Sequence, residues 1–157
     1  MSQRMIPLAA LSIGAGAVFS FGLSPYDIWP LAILSVAALA VLLKNKSPRA
    51  GLFLGWCYGL GFFGSGVSWV YVSIHVYGQA SPLLATLLTV IFCAGLALLT
   101  GLMGLLYSRF EPDSSRFQAL WFTGLWVLFE WLRSWFLTGF PWLYLGYASL
   151  DLSLIHI

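Results

Sequence analysis

Leu83–Tyr107 reads LLATLLTVIFCAGLALLTGLMGLLY, 25 residues without one charged side chain. At about 1.5 Å of rise per residue, such a run makes a helix of roughly 37 Å, enough to cross a hydrocarbon core of about 30 Å. Four other stretches approach the same standard: Met5–Leu23, Ile28–Leu43, Gly51–Ile74 and Phe117–Leu137. Composition agrees. The 157-residue chain is 61% hydrophobic and 8% charged, where a soluble domain carries about 25% charged residues. So little polar surface cannot cover the chain in water, and lipid becomes the solvent. Lipid excludes unpaired backbone amides, and helices satisfy them locally. The fold class is therefore an all-α membrane protein, a bundle of about five transmembrane helices. The second segment has 16 residues, about 24 Å as a helix, and spans if the bilayer thins or Lys44 snorkels. The first has the basic flank and apolar core of a signal peptide. It runs on past its small residues Gly14–Ala17 and four more spans follow, so it reads as an uncleaved helix.

Basic residues set the orientation. Arg4 precedes the first span, Lys44, Lys46 and Arg49 lie between the second and third, and Arg109 and Arg116 lie between the fourth and fifth. Six of the seven basic residues thus fall on one side, which the positive-inside rule makes cytoplasmic, together with the amino terminus. No run of basic residues points to nucleic acid. Phe21–Pro30 (FGLSPYDIWP), Gly64–Gly78 (GSGVSWVYVSIHVYG) and Leu137–Asp151 (LTGFPWLYLGYASLD) then share the outer face. An interfacial aromatic belt accounts for Trp29, Trp69 and Trp142 singly, but a belt forms at both faces and needs no accompanying Gly and Pro.

Glu130 and Arg133 are the sharpest pair. Three residues apart, they share a helix face and can form an ion pair. Glu130 falls about 20 Å along the helix from Phe117, in the outer half. Two readings stand side by side: a structural pair pinning the fifth span, or a polar site offering Arg133 to a phosphate or carboxylate. Gly51, Gly55 and Gly59 recur every four residues and predict close helix packing, while GSGVSW is expected to keep the helix end pliable near a site. Asp27 is expected to cap the second span, with Pro30 in its first turn. His75 reads as a solvated interfacial residue. Cys57 and Cys93 read as packing residues within apolar runs. No metal, cofactor or complete catalytic motif is recognisable, nor the two similar halves of many transporters.

Three stretches carry a family resemblance: FSFGLSPYDIWPLAILS (Phe19–Ser35), GWCYGLGFFGSGVSWVYVSI (Gly55–Ile74) and FEWLRSWFLTGFPWLYLGY (Phe129–Tyr147). In order and spacing they resemble the amino-terminal membrane region of bacterial apolipoprotein N-acyltransferases, over essentially residues 5–151. The resemblance implies a multi-pass inner-membrane enzyme whose motif stretches face the periplasm. Such enzymes move an acyl chain from a phospholipid to the α-amine of the diacylglyceryl cysteine that begins an apolipoprotein. A Glu-Lys-Cys triad in a nitrilase-like domain performs the chemistry through a thioester, in two half-reactions. No position here matches that triad, so no catalytic residue is assigned. Membrane lipid, the phospholipid donor and the apolipoprotein are the implied partners. Trp69, Glu130, Arg133, Trp142 and Tyr144 are the candidates for a lipid cavity or a domain contact. Residues 1–151 are expected to form the membrane domain of a truncated, inactive fragment, and 152–157 to be a foreign tail. A small transporter subunit or a non-enzymatic scaffold packing through the third span are the alternatives.

Overall fold

The computed structural model describes residues 5–136 and 139–150. Arg4, Leu137, Thr138, Asp151 and the tail 152–157 lie outside the described residues, so the expectations resting on them are not addressed by the structure.

Every apolar segment is helical. α1 (Met5–Val18) runs on as a 3-10 turn, Phe19–Gly22; α2 is Trp29–Leu43; α3 is Pro48–Gly66; α4 (Trp69–Val72) continues as a π turn, Ser73–Tyr77; α5 is Pro82–Arg109; α6 is Ser115–Trp135. A last 3-10 turn covers Leu145–Ser149. Two helix starts follow one recipe. Ser47 Oγ accepts from Ala50 N (3.4 Å) before Pro48, and Ser81 Oγ accepts from Leu84 N (3.3 Å) before Pro82. Each serine satisfies an amide that the first turn leaves free, and each proline occupies a position that needs no donor. By length and apolarity, Met5–Gly22 and Pro82–Arg109 can each cross a membrane, and the bent pair Pro48–Gly66 with Trp69–Tyr77 makes a third span. Trp29–Leu43 is apolar but has 15 residues, and α6 carries Arg116, Glu130 and Arg133.

Two expectations change. Asp27 does not cap α2: the capping position is Ile28, with no side-chain hydrogen bond there, and Asp27 sits at φ 55°. The tight turn back onto Phe21, whose carbonyl accepts from Ile28 N at 3.1 Å, places Asp27 one residue too early. The third span is not one straight helix but bends by 53° between α3 and α4. Gly64 and Gly66 lower helix propensity there, and Ser65 Oγ donates back to the Gly61 carbonyl (2.8 Å), a bond that bends helices.

α3 is the axle of the bundle. Gly51, Gly55 and Gly59 face Gly104, Thr100 and Ala97 of α5 so closely that an added methyl would overlap α5 atoms. Gly61 meets the Ile13 carbonyl of α1 in the same way, and Gly16 of α1 meets the Tyr58 carbonyl. Lipid offers little hydrophobic drive for helix association, so backbone approach and polar contacts supply it. The polar contacts are Ser12 Oγ to the Leu54 carbonyl (2.8 Å) and Ser35 Oγ to the Ala15 carbonyl (2.6 Å). Ser35, having given its proton to Ala15, accepts from the Tyr58 hydroxyl at 2.7 Å. Outward-facing Leu83, Val90, Ile91 and Leu98 leave apolar surface for lipid.

Loops sort by end. The Asn45 backbone N–H donates to both Glu111 oxygens (3.0 and 3.2 Å), tying the α2–α3 loop to the α5–α6 loop. Lys44, Lys46, Arg49, Arg109 and Arg116 therefore belong to one end of the bundle. Replacing Gly55 by Leu is expected to destabilise the detergent-solubilised chain by about 1–3 kcal/mol through overpacking. Gly124, which has open space around it, should accept Ala with no loss. Thermal midpoints by fluorescence-detected size exclusion compare the two variants directly.

Candidate functional site

The three motif stretches meet at the end opposite the basic loops. Ser65 accepts from the Ser20 hydroxyl at 2.7 Å, joining the first stretch to the second. Gly66 joins the second to the third, because a methyl there would strike the Leu143 side chain. Trp69 and Trp142 close the junction with ring centroids 5.7 Å apart. GSGVSW thus forms a defined bend against which the third stretch packs.

The third stretch is a loop folded back over the end of α6. Gly139, at φ 83°, makes the reversal where a side chain would strike the Ser134 carbonyl. Phe140 N then donates to the Arg133 carbonyl (2.8 Å), and the Phe140 ring meets Phe92 edge-on at 5.3 Å. Leu143 is buried although its φ is 59°, a conformation that costs a non-glycine residue about 1–3 kcal/mol unless its surroundings impose it. Those surroundings are Glu130 and Arg133. Arg133 Nη2 donates to the Leu143 carbonyl at 3.3 Å, and Glu130 Oε1 accepts from Leu145 N at 2.8 Å. Two ionisable side chains, one turn apart on α6, grip the backbone on either side of Tyr144. The shared face predicted from their spacing serves a loop, with each hydrogen bond going to backbone rather than across the pair.

Arg133 is 5% exposed. Its guanidinium lies 5.6, 5.4 and 5.1 Å from the ring centres of Phe62, Phe63 and Tyr144, a cage in which each face contact contributes about 0.5–2 kcal/mol. Nη1 has no hydrogen-bond partner among the described residues. Tyr147 Oη donates to the Pro141 carbonyl at 3.1 Å and closes the loop on itself. Two apolar cavities flank the grip. One, of about 850 Å³, lies between α2 and α6 with Glu130 in its wall; the other, of about 540 Å³, lies between α5 and the end of α6 with Arg133 in its wall.

All five residues singled out from sequence, Trp69, Glu130, Arg133, Trp142 and Tyr144, come together here. Sequence reasoning missed Leu143 and the Phe62–Phe63 cage, and placed Gly66 near the site only as part of GSGVSW. Gly139 beside the fifth span was the available signal for a chain reversal. His75 is occupied locally, Nδ1 lying 2.8 Å from the Ala80 carbonyl. Cys57 and Cys93 are free and buried in α3 and α5, as packing residues, and Cys93 Sγ donates to the Phe63 carbonyl (3.7 Å). Among the described residues no cluster of His, Cys, Asp or Glu could hold a metal.

Comparison with known proteins gives this geometry a family. The domain described as "Apolipoprotein N-acyltransferase N-terminal domain" matches residues 15–157. The chain belongs to the apolipoprotein N-acyltransferase family. An apolipoprotein N-acyltransferase of Pseudomonas syringae pv. tomato is 47% identical over 146 residues, 92% of this chain and 29% of that protein. Those of Azotobacter vinelandii and Vibrio parahaemolyticus are 48% and 46% identical over 90% and 94% of the chain. The chain spans less than a third of the length of these relatives. The grip and the three-stretch junction lie within the residues that match the family's amino-terminal domain.

Arg133→Ala leaves the Leu143 carbonyl without its donor, and an unsatisfied buried acceptor costs about 1–3 kcal/mol. The expected outcome is earlier protease cleavage within Phe140–Tyr147 and a lower thermal midpoint. Glu130→Gln, which keeps an acceptor for Leu145 N, should cost less than Glu130→Leu; equal losses would remove that hydrogen bond from the account.

Proposed function

We propose that this chain is the membrane region of a bacterial inner-membrane enzyme that acylates apolipoproteins, and that it positions lipid and the catalytic part rather than performing the chemistry. The reaction takes an acyl chain from a phospholipid onto a cysteine thiolate as a thioester, releasing the lysophospholipid. The α-amine of the diacylglyceryl cysteine then attacks that thioester, forms the amide and frees the thiolate. The observation that carries this reading is the family match over residues 15–157, with relatives named for that activity. Two features of the chain support the division of labour. Its two cysteines are free and buried within helices, whereas a thiolate that attacks an ester has to be accessible. Its unusual residues build a rigid platform at one end.

Within that reading, Trp69 and Trp142 form the contact surface for the catalytic domain, both being about half exposed. Arg133, with Phe92 and Phe140, walls the cavity between α5 and α6, a slot apolar enough for an acyl chain. Glu130 and Tyr144 hold the loop above it. The platform faces the periplasm and the basic loops the cytoplasm, by the positive-inside argument. A transporter reading gains nothing from the polar pair, whose hydrogen bonds go to one loop's backbone and not along a path across the bundle.

Joining residues 1–150 to the remainder of the Pseudomonas syringae relative gives the decisive chimera. In cells depleted of their own enzyme it should restore amide-linked acylation of lipoprotein amino termini, read by mass spectrometry of lipopeptides. The chain of 157 residues alone should not. A well-expressed chimera that yields only diacylated lipoprotein would sink the proposal. Orientation has its own test: Gly146→Cys should react with a membrane-impermeant maleimide added from the periplasm, and Lys46→Cys only after the inner membrane is opened.

A further inference from the structure

Five cations gather at one end of the bundle. Lys44 and Lys46 lie in the α2–α3 loop, Arg49 in the first turn of α3, Arg109 at the end of α5 and Arg116 in the first turn of α6. The hydrogen bonds from Asn45 N to Glu111 hold the two loops side by side. α3 and α5 meet next to that tie, since a methyl on Gly51 would strike the Ser108 side chain. Lys44, Arg49, Arg109 and Arg116 are exposed. Glu111 and Asp113 are the acids of these two loops. Both carboxylate oxygens of Glu111 accept from the Asn45 N–H, which leaves Asp113 to answer five positive charges.

The positions of the arginines sharpen that imbalance. A helix start is the positive end of the helix dipole, where acids are favoured and cations disfavoured. α3 and α6 both begin at this end, and each carries an arginine and no acid in its first turn. The positive-inside tendency accounts for the sign of the loops, but not for arginines set against two helix dipoles. Arg109 lies over the Phe110 ring, 5.3 Å from its centre, a stacking that leaves the guanidinium edge free to donate. Phe110 and Phe117, both more than half exposed, set apolar rings beside the charges. Charge next to exposed apolar surface suits the boundary between headgroups and acyl chains.

We propose that this end of the bundle binds anionic phospholipid of the leaflet it faces. Phosphate oxygens accept from the guanidinium groups of Arg49, Arg109 and Arg116, whose planar forks match a phosphate in paired hydrogen bonds. Lys44 and Lys46 add attraction at longer range. Each cation close to an anionic surface strengthens that attraction about fivefold. The bound lipid supplies the negative charge that α3 and α6 lack at their starts, and it bridges the two loops that the Asn45–Glu111 contact already joins. It lies at the opposite end from the junction of the motif stretches, and its role is to hold the loops rather than to donate an acyl chain.

The test reconstitutes the 157-residue chain in phosphatidylcholine bilayers with a trace of spin-labelled phosphatidylglycerol or spin-labelled phosphatidylcholine. Electron paramagnetic resonance reads the fraction of each label that the protein immobilises. Phosphatidylglycerol should be preferred about two- to fourfold at low salt, and the preference should fall toward one at about 0.5 M sodium chloride. Arg49→Gln, Arg109→Gln and Arg116→Gln should each lower it, and the three together should abolish it. The single substitutions carry the test if the triple variant does not fold. Asp27→Asn, at the opposite end, should leave the preference unchanged. Equal immobilisation of the two lipids by the unsubstituted chain would overturn the proposal. So would a preference that survives the arginine substitutions, or one that Asp27→Asn alters as much as they do, which would assign it to net charge alone. Inorganic phosphate at matched ionic strength should act no more strongly than chloride. A greater loss with phosphate would overturn the lipid assignment in favour of a site for free phosphate.

Discussion

Backbone-to-backbone approach along α3 is the constraint on which the rest depends. In water, apolar side chains drive helices together; in lipid that drive is largely absent. The chain instead brings main chain to main chain, with Gly51, Gly55 and Gly59 against α5 and Gly61 against α1. Because α3 touches both neighbours, its position fixes theirs, and Ser12, Ser35 and Tyr58 lock the arrangement with hydrogen bonds that have no competing water. A side chain at any of those four glycines would push α3 away from α5 or from α1.

The loop grip is the second consequence of the same geometry. α3 places Phe62 and Phe63 beneath α6, and these rings, with Tyr144, surround the Arg133 guanidinium. An arginine so buried is expensive unless its charge is met. Here it is met by ring faces and a backbone carbonyl, while Glu130 receives a backbone N–H on the other side of Tyr144. The pair therefore converts a membrane-embedded charge cost into a definite shape for FPWLYLGY. The left-handed backbone at Leu143 persists because its carbonyl and the next-but-one N–H, that of Leu145, are held and its side chain fills the space left by Gly66.

Much of this was legible from residue order alone. The 25-residue uncharged run at Leu83–Tyr107 needed only a bilayer's thickness to be read as a span, and the four-residue glycine spacing needed only helical periodicity to be read as a packing face. Both are local or one-dimensional properties. The bend after Gly66 was half visible, since GSG weakens a helix, but its 53° angle and the packing of Leu143 and Ser20 against it were not. Asp27 was misplaced as a cap because the capping position depends on where the turn closes, which Phe21 and Ile28 decide together.

What the sequence by itself determined is the class of the protein, the number of apolar segments, the sorting of basic residues to alternate loops and the motifs that mark the family. Each depends on composition or on spacing within one helix, and lipid makes those rules strict by forbidding unpaired backbone. Only the tertiary structure decided what Glu130 and Arg133 hold, that Trp69 meets Trp142, and that α2 and α6 leave a groove between them. Those are relations between residues on different helices and loops, set by how the helices crowd around α3, and no local pattern encodes the distance between side chains that the chain brings together only when it is folded.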